Sequence, residues 1–207
     1  GKMILRTFAA FGLLLLLTNC AFVDQDVQIA YTPTGAATVD GDKLLVAPTT
    51  TNAPAAKNEA GKLVVGSVKN GYGMHTADVL LEPGAVDKIA DALAAELEAT
   101  GYSVVRGDVG AAPAASDTPA VRLTVTRLVV DQIPGAFTVT ASAAVGFEIA
   151  IEQDGREIDR FLVDSGNEDE ALVSGAESKQ AALTAALEEA ITKAVTMIQA
   201  SLETGTS

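Results

Sequence analysis

The sequence predicts an α+β fold, a two-layer sandwich with two helices on one face of an antiparallel or mixed sheet of about four to six strands. Three observations carry that expectation. Apolar residues hold every second position from Phe137 to Ile151, the period of a strand with one buried face. From Val86 to Leu97, and again from Leu183 to Leu202, the apolar residues recur at steps of three and four, the spacing of an amphipathic helix. A stripe as long as the second needs an apolar partner, and the sheet offers one. At ~25 cal/mol per Å² of apolar area removed from water, that contact should be the main stabilising one.

From the amino terminus, residues 1–19 have the layout of an export signal. Lys2 and Arg6 are cationic, the run from Phe8 to Leu17 is apolar, and Leu17-Thr18-Asn19-Cys20 closes the segment. The run is shorter than the ~20 residues that cross a bilayer, so cleavage rather than retention is expected. Leu17 three residues before Cys20 resembles the lipobox of bacterial lipoproteins, with Asn19 where a small residue is usual. That resemblance implies cutting before Cys20 and lipidation of its sulfur. Ala21 in place of Asp resembles the rule for sorting to the outer membrane. At ~0.8 kcal/mol per buried methylene, several acyl chains hold a protein permanently.

Residues 20–41 read as an extended, lipidated tether with one edge strand, from the alternation of Val27, Ile29 and Tyr31 ahead of Thr32-Pro33-Thr34-Gly35. A single α+β domain is expected over 42–204. It begins with strands at 43–47 and 62–68, paired as a hairpin across the polar loop 49–60. Lys69-Asn70-Gly71-Tyr72-Gly73 then reads as a turn. Pro83 suits the first turn of a helix and Gly101 the left-handed residue that ends it. A short strand at 102–105 and a loop at 107–119 follow. Val121, Leu123 and Val125 start a strand, Pro134-Gly135 turns the chain, and Asp154-Gly155 is a tight-turn signal before a return strand at 158–164. These three strands form a meander, and a helix over 175–202 closes the domain.

Composition narrows the function. With 207 residues, 48% hydrophobic and 20% charged, the chain is too apolar to be disordered throughout. Fourteen basic against 27 acidic side chains give a formal charge of −13, which repels phosphate backbones and excludes nucleic acid as a partner. A single Cys rules out an intramolecular disulfide and a thiolate zinc cluster, and a single His rules out a site needing two imidazoles.

Gly66-Ser67-Val68-Lys69-Asn70-Gly71-Tyr72-Gly73 ahead of the first helix, Leu97-Glu98-Ala99-Thr100-Gly101-Tyr102-Ser103-Val104 at its end, and the carboxy-terminal helix resemble the YajG-like family of bacterial lipoproteins. The resemblance covers most of the mature chain. Thr50-Thr51-Asn52 stands where that family often carries an Asp-x-Arg element. More distantly, the layout is similar to auxiliary lipoproteins of envelope transport systems, including the lipopolysaccharide-assembly lipoprotein. The resemblance implies no catalytic residues.

The remaining candidates read as structural. His75 has no Cys or second His to complete a metal site. Asp164-Ser165-Gly166-Asn167-Glu168-Asp169-Glu170 lacks the ligand spacing of a calcium-binding helix-loop-helix and reads as a solvated acidic loop. Ser165 and Ser174 lie outside any Gly-x-Ser-x-Gly frame, and Gly71-Tyr72-Gly73 lacks the Lys-Ser or Lys-Thr of a phosphate loop. Cys20 is thus the one expected site residue, with no catalytic, cofactor or metal residue. The expected function is a non-enzymatic lipoprotein on the periplasmic face of the outer membrane, a scaffold or accessory of an envelope assembly. It would meet the membrane through its lipid and a protein partner, or its own copy, through its surface. The alternative is a carrier or sensor of a small apolar ligand held between sheet and helices.

Overall fold

The computed structural model describes residues 22–53, 55–107, 118–171 and 175–205. Its strands are β1 (Gln25–Val27), β2 (Lys43–Val46), β3 (Thr50–Thr51), β4 (Ala56–Lys57), β5 (Leu63–Lys69), β6 (His75–Leu81), β7 (Ser103–Arg106), β8 (Ala120–Pro134), β9 (Val139–Gln153) and β10 (Arg156–Ala171). Helix α1 (Asp87–Ala99) lies between β6 and β7, and α2 (Ala176–Gly205) ends the fold. The meander forms as the alternation predicts: β9 runs antiparallel to both β8 and β10. Asp154 (φ 52°) and Gly155 (φ 71°) make the turn between β9 and β10, the pair of left-handed residues that suits the twist of a two-residue hairpin.

The expectation of one sheet of four to six strands is corrected. The ten strands form two mixed sheets, one of four strands (β1-β6-β5-β4) and one of six (β10-β9-β8-β2-β7, with β3 also on β8). The expected hairpin between the runs at 43–47 and 62–68 does not form: β2 pairs in parallel with β7 and β8, and β5 pairs with β6. Short apolar runs specify a strand but not its neighbour. The strand β6 went unread because His75, Thr76 and Asp78 break its apolar pattern, although Ala77, Val79, Leu80 and Leu81 are all buried.

Strand β8 joins the two sheets. Its outer edge is covered first by β2 at Ala120 and Val121, then by β3 at Thr124 and Val125. Further along, β5 crosses it so closely that a Cβ on Gly66 would stand 1.5 Å from the Val130 carbonyl oxygen. Only glycine permits that approach.

Residues 25–41 contribute the edge strand expected of them, but they lie along the domain rather than standing off it. β1 pairs in parallel with β6, and Val27 and Ile29 are buried. Buried Glu96 of α1 accepts hydrogen bonds from the Tyr31 hydroxyl (2.6 Å) and the Thr34 N–H (3.0 Å). Thr38 and Val39 N–H groups donate to the Thr100 carbonyl, and Gly41 N–H to that of Gly101. The acidic run 164–170 is a second correction: it belongs to β10 and pairs residue by residue with β9. Its carboxylates satisfy the strand period because Asp164, Glu168 and Glu170 share the exposed side.

Helix α1 begins at Asp87 and not at Pro83, because Pro83-Gly84 forms a turn in which Gly84 has φ +79°. Gly101 does end it, at φ +106°. The long helix α2 lays Leu183, Leu187, Ile191 and Ile198 on the inward face of β9, where Ala141, Val145, Phe147, Ile149 and Ile151 are fully buried. Ala182, Ala186, Ala190 and Ala194, also buried, let the helix approach the sheet closely. Among the described residues no helix is long and apolar enough to cross a membrane.

Candidate functional site

Helix α2, ~45 Å long at 1.5 Å per residue, connects two ends of the molecule with different chemistry. Near its start Lys179 reaches Gln132, two residues before β8 ends. Near its finish the Ser201 hydroxyl donates to Asp159, beside the turn between β9 and β10.

At the first end lies a buried polar seam. Lys179 has no solvent exposure, and its Nζ donates to Gln132 Oε1 at 2.8 Å. Gln132 Nε2 donates to the Lys69 carbonyl at 2.5 Å. Lys69 Nζ and Ser67 Oγ each donate to Asp131 at 2.7 Å. Burial pushes the Lys179 ammonium down to about 8, opposed by the Asp131 charge. Burial alone would raise the Asp131 carboxyl, but hydrogen bonds from Lys69, Ser67 and the Gln132 N–H outweigh it and hold the group below its ordinary value. The seam ties α2, β5 and β8 together; its groups are spent on one another, so its role is structural.

At the other end is a cleft of ≈ 650 Å³, within the size range of small-molecule sites. Half-buried Val39, Pro119 and Leu202 and buried Tyr102 form its floor, and exposed Asp40, Asp42 and Glu203, with Lys43 among them, its rim. Burial, then the charges of Asp42 and Glu203, raises the Tyr102 phenol, which keeps it neutral and able to donate. Three carboxylates against Lys43 leave the rim net negative, and an apolar floor inside such a rim favours an uncharged or cationic group over a free carboxylate. The space between α2 and β9, where an apolar ligand was expected, is instead filled by side chains with no exposure.

Cys20 and Ser174 lie outside the described residues. His75 sits at the exposed start of β6, its Nε2 2.8 Å from Asp78 Oδ1. Ser165 is buried on β10, its Oγ without a hydrogen-bond partner among the described residues, while Lys193, 2.5 Å away, holds the nearby Glu189 carboxyl low. Gly71-Tyr72-Gly73 is the β5–β6 turn, with φ +79° at Gly73. Of the sequence-picked polar residues, the structure brings Asp164, Ser165 and Glu168 together with Arg127, Glu189 and Lys193 along one open groove of ≈ 690 Å³, and leaves His75 apart from them. It gathers others that were passed over. Lys179 stands one turn before Leu183 on the buried stripe, and Gln132 continues the inward alternation of Leu128 and Val130. Polar residues at apolar positions were the signal that could have found both.

No protein-family model and no curated protein matches the sequence. Among solved structures, the chain is similar to protein XCC0632 from Xanthomonas campestris, of the DUF330 family, at TM-score 0.55 and 17% identity over 88% of this chain and 98% of that one. It matches a homologue of the neuraminyllactose-binding haemagglutinin from Helicobacter pylori at TM-score 0.46 and 10% identity over 88% and 100%. Lipoprotein GNA1162 from Neisseria meningitidis matches at TM-score 0.38 and 12% identity over 76% and 98%. The likeness to the Xanthomonas protein is one of fold, and it extends over nearly the whole of that chain.

Proposed function

We propose that this protein is a lipoprotein of the YajG-like kind, anchored through Cys20 to the periplasmic face of the bacterial outer membrane, and that it serves an envelope assembly as a non-enzymatic scaffold or accessory factor. The observation that carries the reading is Leu17-Thr18-Asn19-Cys20 at the end of an apolar leader. It is supported by a domain in which Lys69–Asp131 at the seam and Arg122–Glu152 and Arg160–Glu157 on the strands are structural ion pairs. Replacing Cys20 by Ser should move the protein from the membrane fraction to the soluble periplasmic fraction. Retention in the membrane would refute the anchor. Crosslinking in cells, followed by identification of the attached protein, then tests the scaffold role.

A second reading, a carrier or sensor of a small apolar ligand, is favoured by the cleft over Tyr102 and Leu202. The anionic rim selects a neutral or cationic head group over a fatty acid. Native mass spectrometry after gentle extraction separates the two: a co-purified small molecule supports the carrier, a stable protein partner the scaffold.

A further inference from the structure

We propose that the end of the molecule bearing the β5–β6 and β8–β9 turns is a membrane-contact face, laid against the head-group region of the bilayer that holds the chain. The proposal rests on the Cys20 reading and goes beyond it, because an anchor alone does not say which face meets the lipid.

The two turns form one tip: a Cβ on Gly73 would stand 3.8 Å from Pro134 Cγ. Side chains on that tip are apolar and unburied, with Tyr72 and Phe137 each 91% exposed, Met74 59% and Ile133 49%. Such residues, Tyr above all, suit the boundary between water and acyl chains. The tip also lacks charge. No Asp, Glu, Lys or Arg occurs in 70–74 or in 132–147, in a chain with 27 acidic residues, so the two turns themselves add no charge that an anionic bilayer would repel.

The course of the amino terminus makes lipid the occupant. β1 runs parallel to β6, and the Asp78 N–H donates to Asp24 Oδ1 at 2.9 Å. Residues before Gln25 therefore head toward His75 and the β5–β6 turn, and Phe22 and Val23 are themselves 65% and 57% exposed. At roughly 3.5 Å per residue, the two steps of chain from Phe22 back to the anchoring residue can span no more than about 7 Å. An acylated residue on so short a lead cannot hold the domain away from the bilayer, and the tip is the apolar surface toward which Asp24, beside Asp78, directs the chain. Glu168, Asp169 and Glu170 stand on β10 beside Ser142, Ala141 and Thr140. Glu170 stands level with Ile133, both paired to Thr140, so these carboxylates border the tip and limit the contact to the two turns.

The protein contains no Trp, so Phe137→Trp supplies a single reporter, and Val105→Trp, on an exposed residue of β7 at the cleft end, supplies the control. Each full-length variant, purified from membranes, is reconstituted into phosphatidylethanolamine–phosphatidylglycerol vesicles containing brominated acyl chains, and its mass is measured. The expected result is an acylated Cys20, with the indole emission of Phe137→Trp blue-shifted and quenched at least twofold and that of Val105→Trp unquenched. An acylated Cys20 with the tip reporter no more quenched than the control overturns the membrane contact alone. A bare Cys20 thiol overturns the anchor and this proposal with it. A photo-crosslinker at position 137 in cells should give a phospholipid adduct, and a discrete protein adduct would assign the face to a partner and overturn the proposal.

Discussion

Where Pro134 turns the chain, the exposed side chains include Tyr72, Met74, Ile133 and Phe137; where Pro119 leads into the same strand, they include Asp40, Asp42 and Glu203, with Lys43 and Val105. One end of β8 is apolar at its turns, with Glu168 to Glu170 at the border, and polar within, over the seam at Lys179. The opposite end is acidic outside and apolar within. Each end is also held by a glycine pressed on a backbone: Gly66 against Val130, and Gly101 against Val39, where a Cβ would lie 2.0 Å from the carbonyl oxygen. The difference teaches that exposure and polarity part company here, since the most buried cation underlies the most apolar surface. A surface so unlike its interior points to an external contact rather than to folding as its cause.

The largest effect should come from breaking the glycine contacts. Gly66→Ala forces β5 off β8 and is expected to cost more than about 4 kcal/mol, read as loss of a cooperative urea transition. Gly101→Ala should cost about 3 kcal/mol, because it adds left-handed strain to the clash, and should disturb the cleft while leaving the hairpin end folded. A normal transition in the first variant would mean the sheets are not joined at that crossing.

Lys179 sharpens the comparison through pH. Its value falls from an ordinary 10.5 to about 8 in the folded chain. Below pH 8 both states hold the proton and the cost of the buried ammonium is fully present. Above it the folded chain releases the proton first, so stability should rise with pH, by up to about 3 kcal/mol at ~1.4 kcal/mol per tenfold in proton affinity. Measurements should stop near pH 10, where Tyr31 and Tyr102, raised chiefly by burial, start to act in the opposite sense. Lys179→Met should flatten the rise and leave the protein as stable or more so at pH 7. A flat profile in the parent chain would contradict the account of the seam.

At the cleft end, Glu96→Ala strands the Tyr31 hydroxyl and the Thr34 N–H. A loss of about 1–3 kcal/mol is expected, with limited proteolysis opening the chain near residue 34; an unchanged digest would show that packing alone holds the segment. Least of all should follow from Tyr72→Ser with Phe137→Ser, within about 0.5 kcal/mol by urea midpoint, as for other exposed sites. A larger loss would make the tip part of the fold.

The elements with long, uninterrupted periods were legible. Eight alternating apolar residues declared β9, and the stripe from Leu183 declared α2, because each pattern is repeated often enough to exclude the other period. β6 is hidden by His75 and Asp78, and the acidic half of β10 resembles a loop in composition although its burial alternates as a strand's does. The seam was illegible for a related reason: Lys179 and Gln132 are ordinary surface residues in any local window, and only the meeting of α2, β5 and β8 buries them.

By itself, then, the sequence determined the acidic balance, the apolar leader that ends at Cys20, the helical stripes and the meander, all of which depend on residues near in the chain. The tertiary structure decided that there are two sheets and not one, that residues 25–41 are bound along the domain, and that two distant turns form a single apolar tip beside the amino terminus. Those outcomes depend on which strand edges and faces meet across separations of 50 residues or more, as between Ser67 and Asp131. No periodicity records such pairings, because one alternating pattern fits many partners.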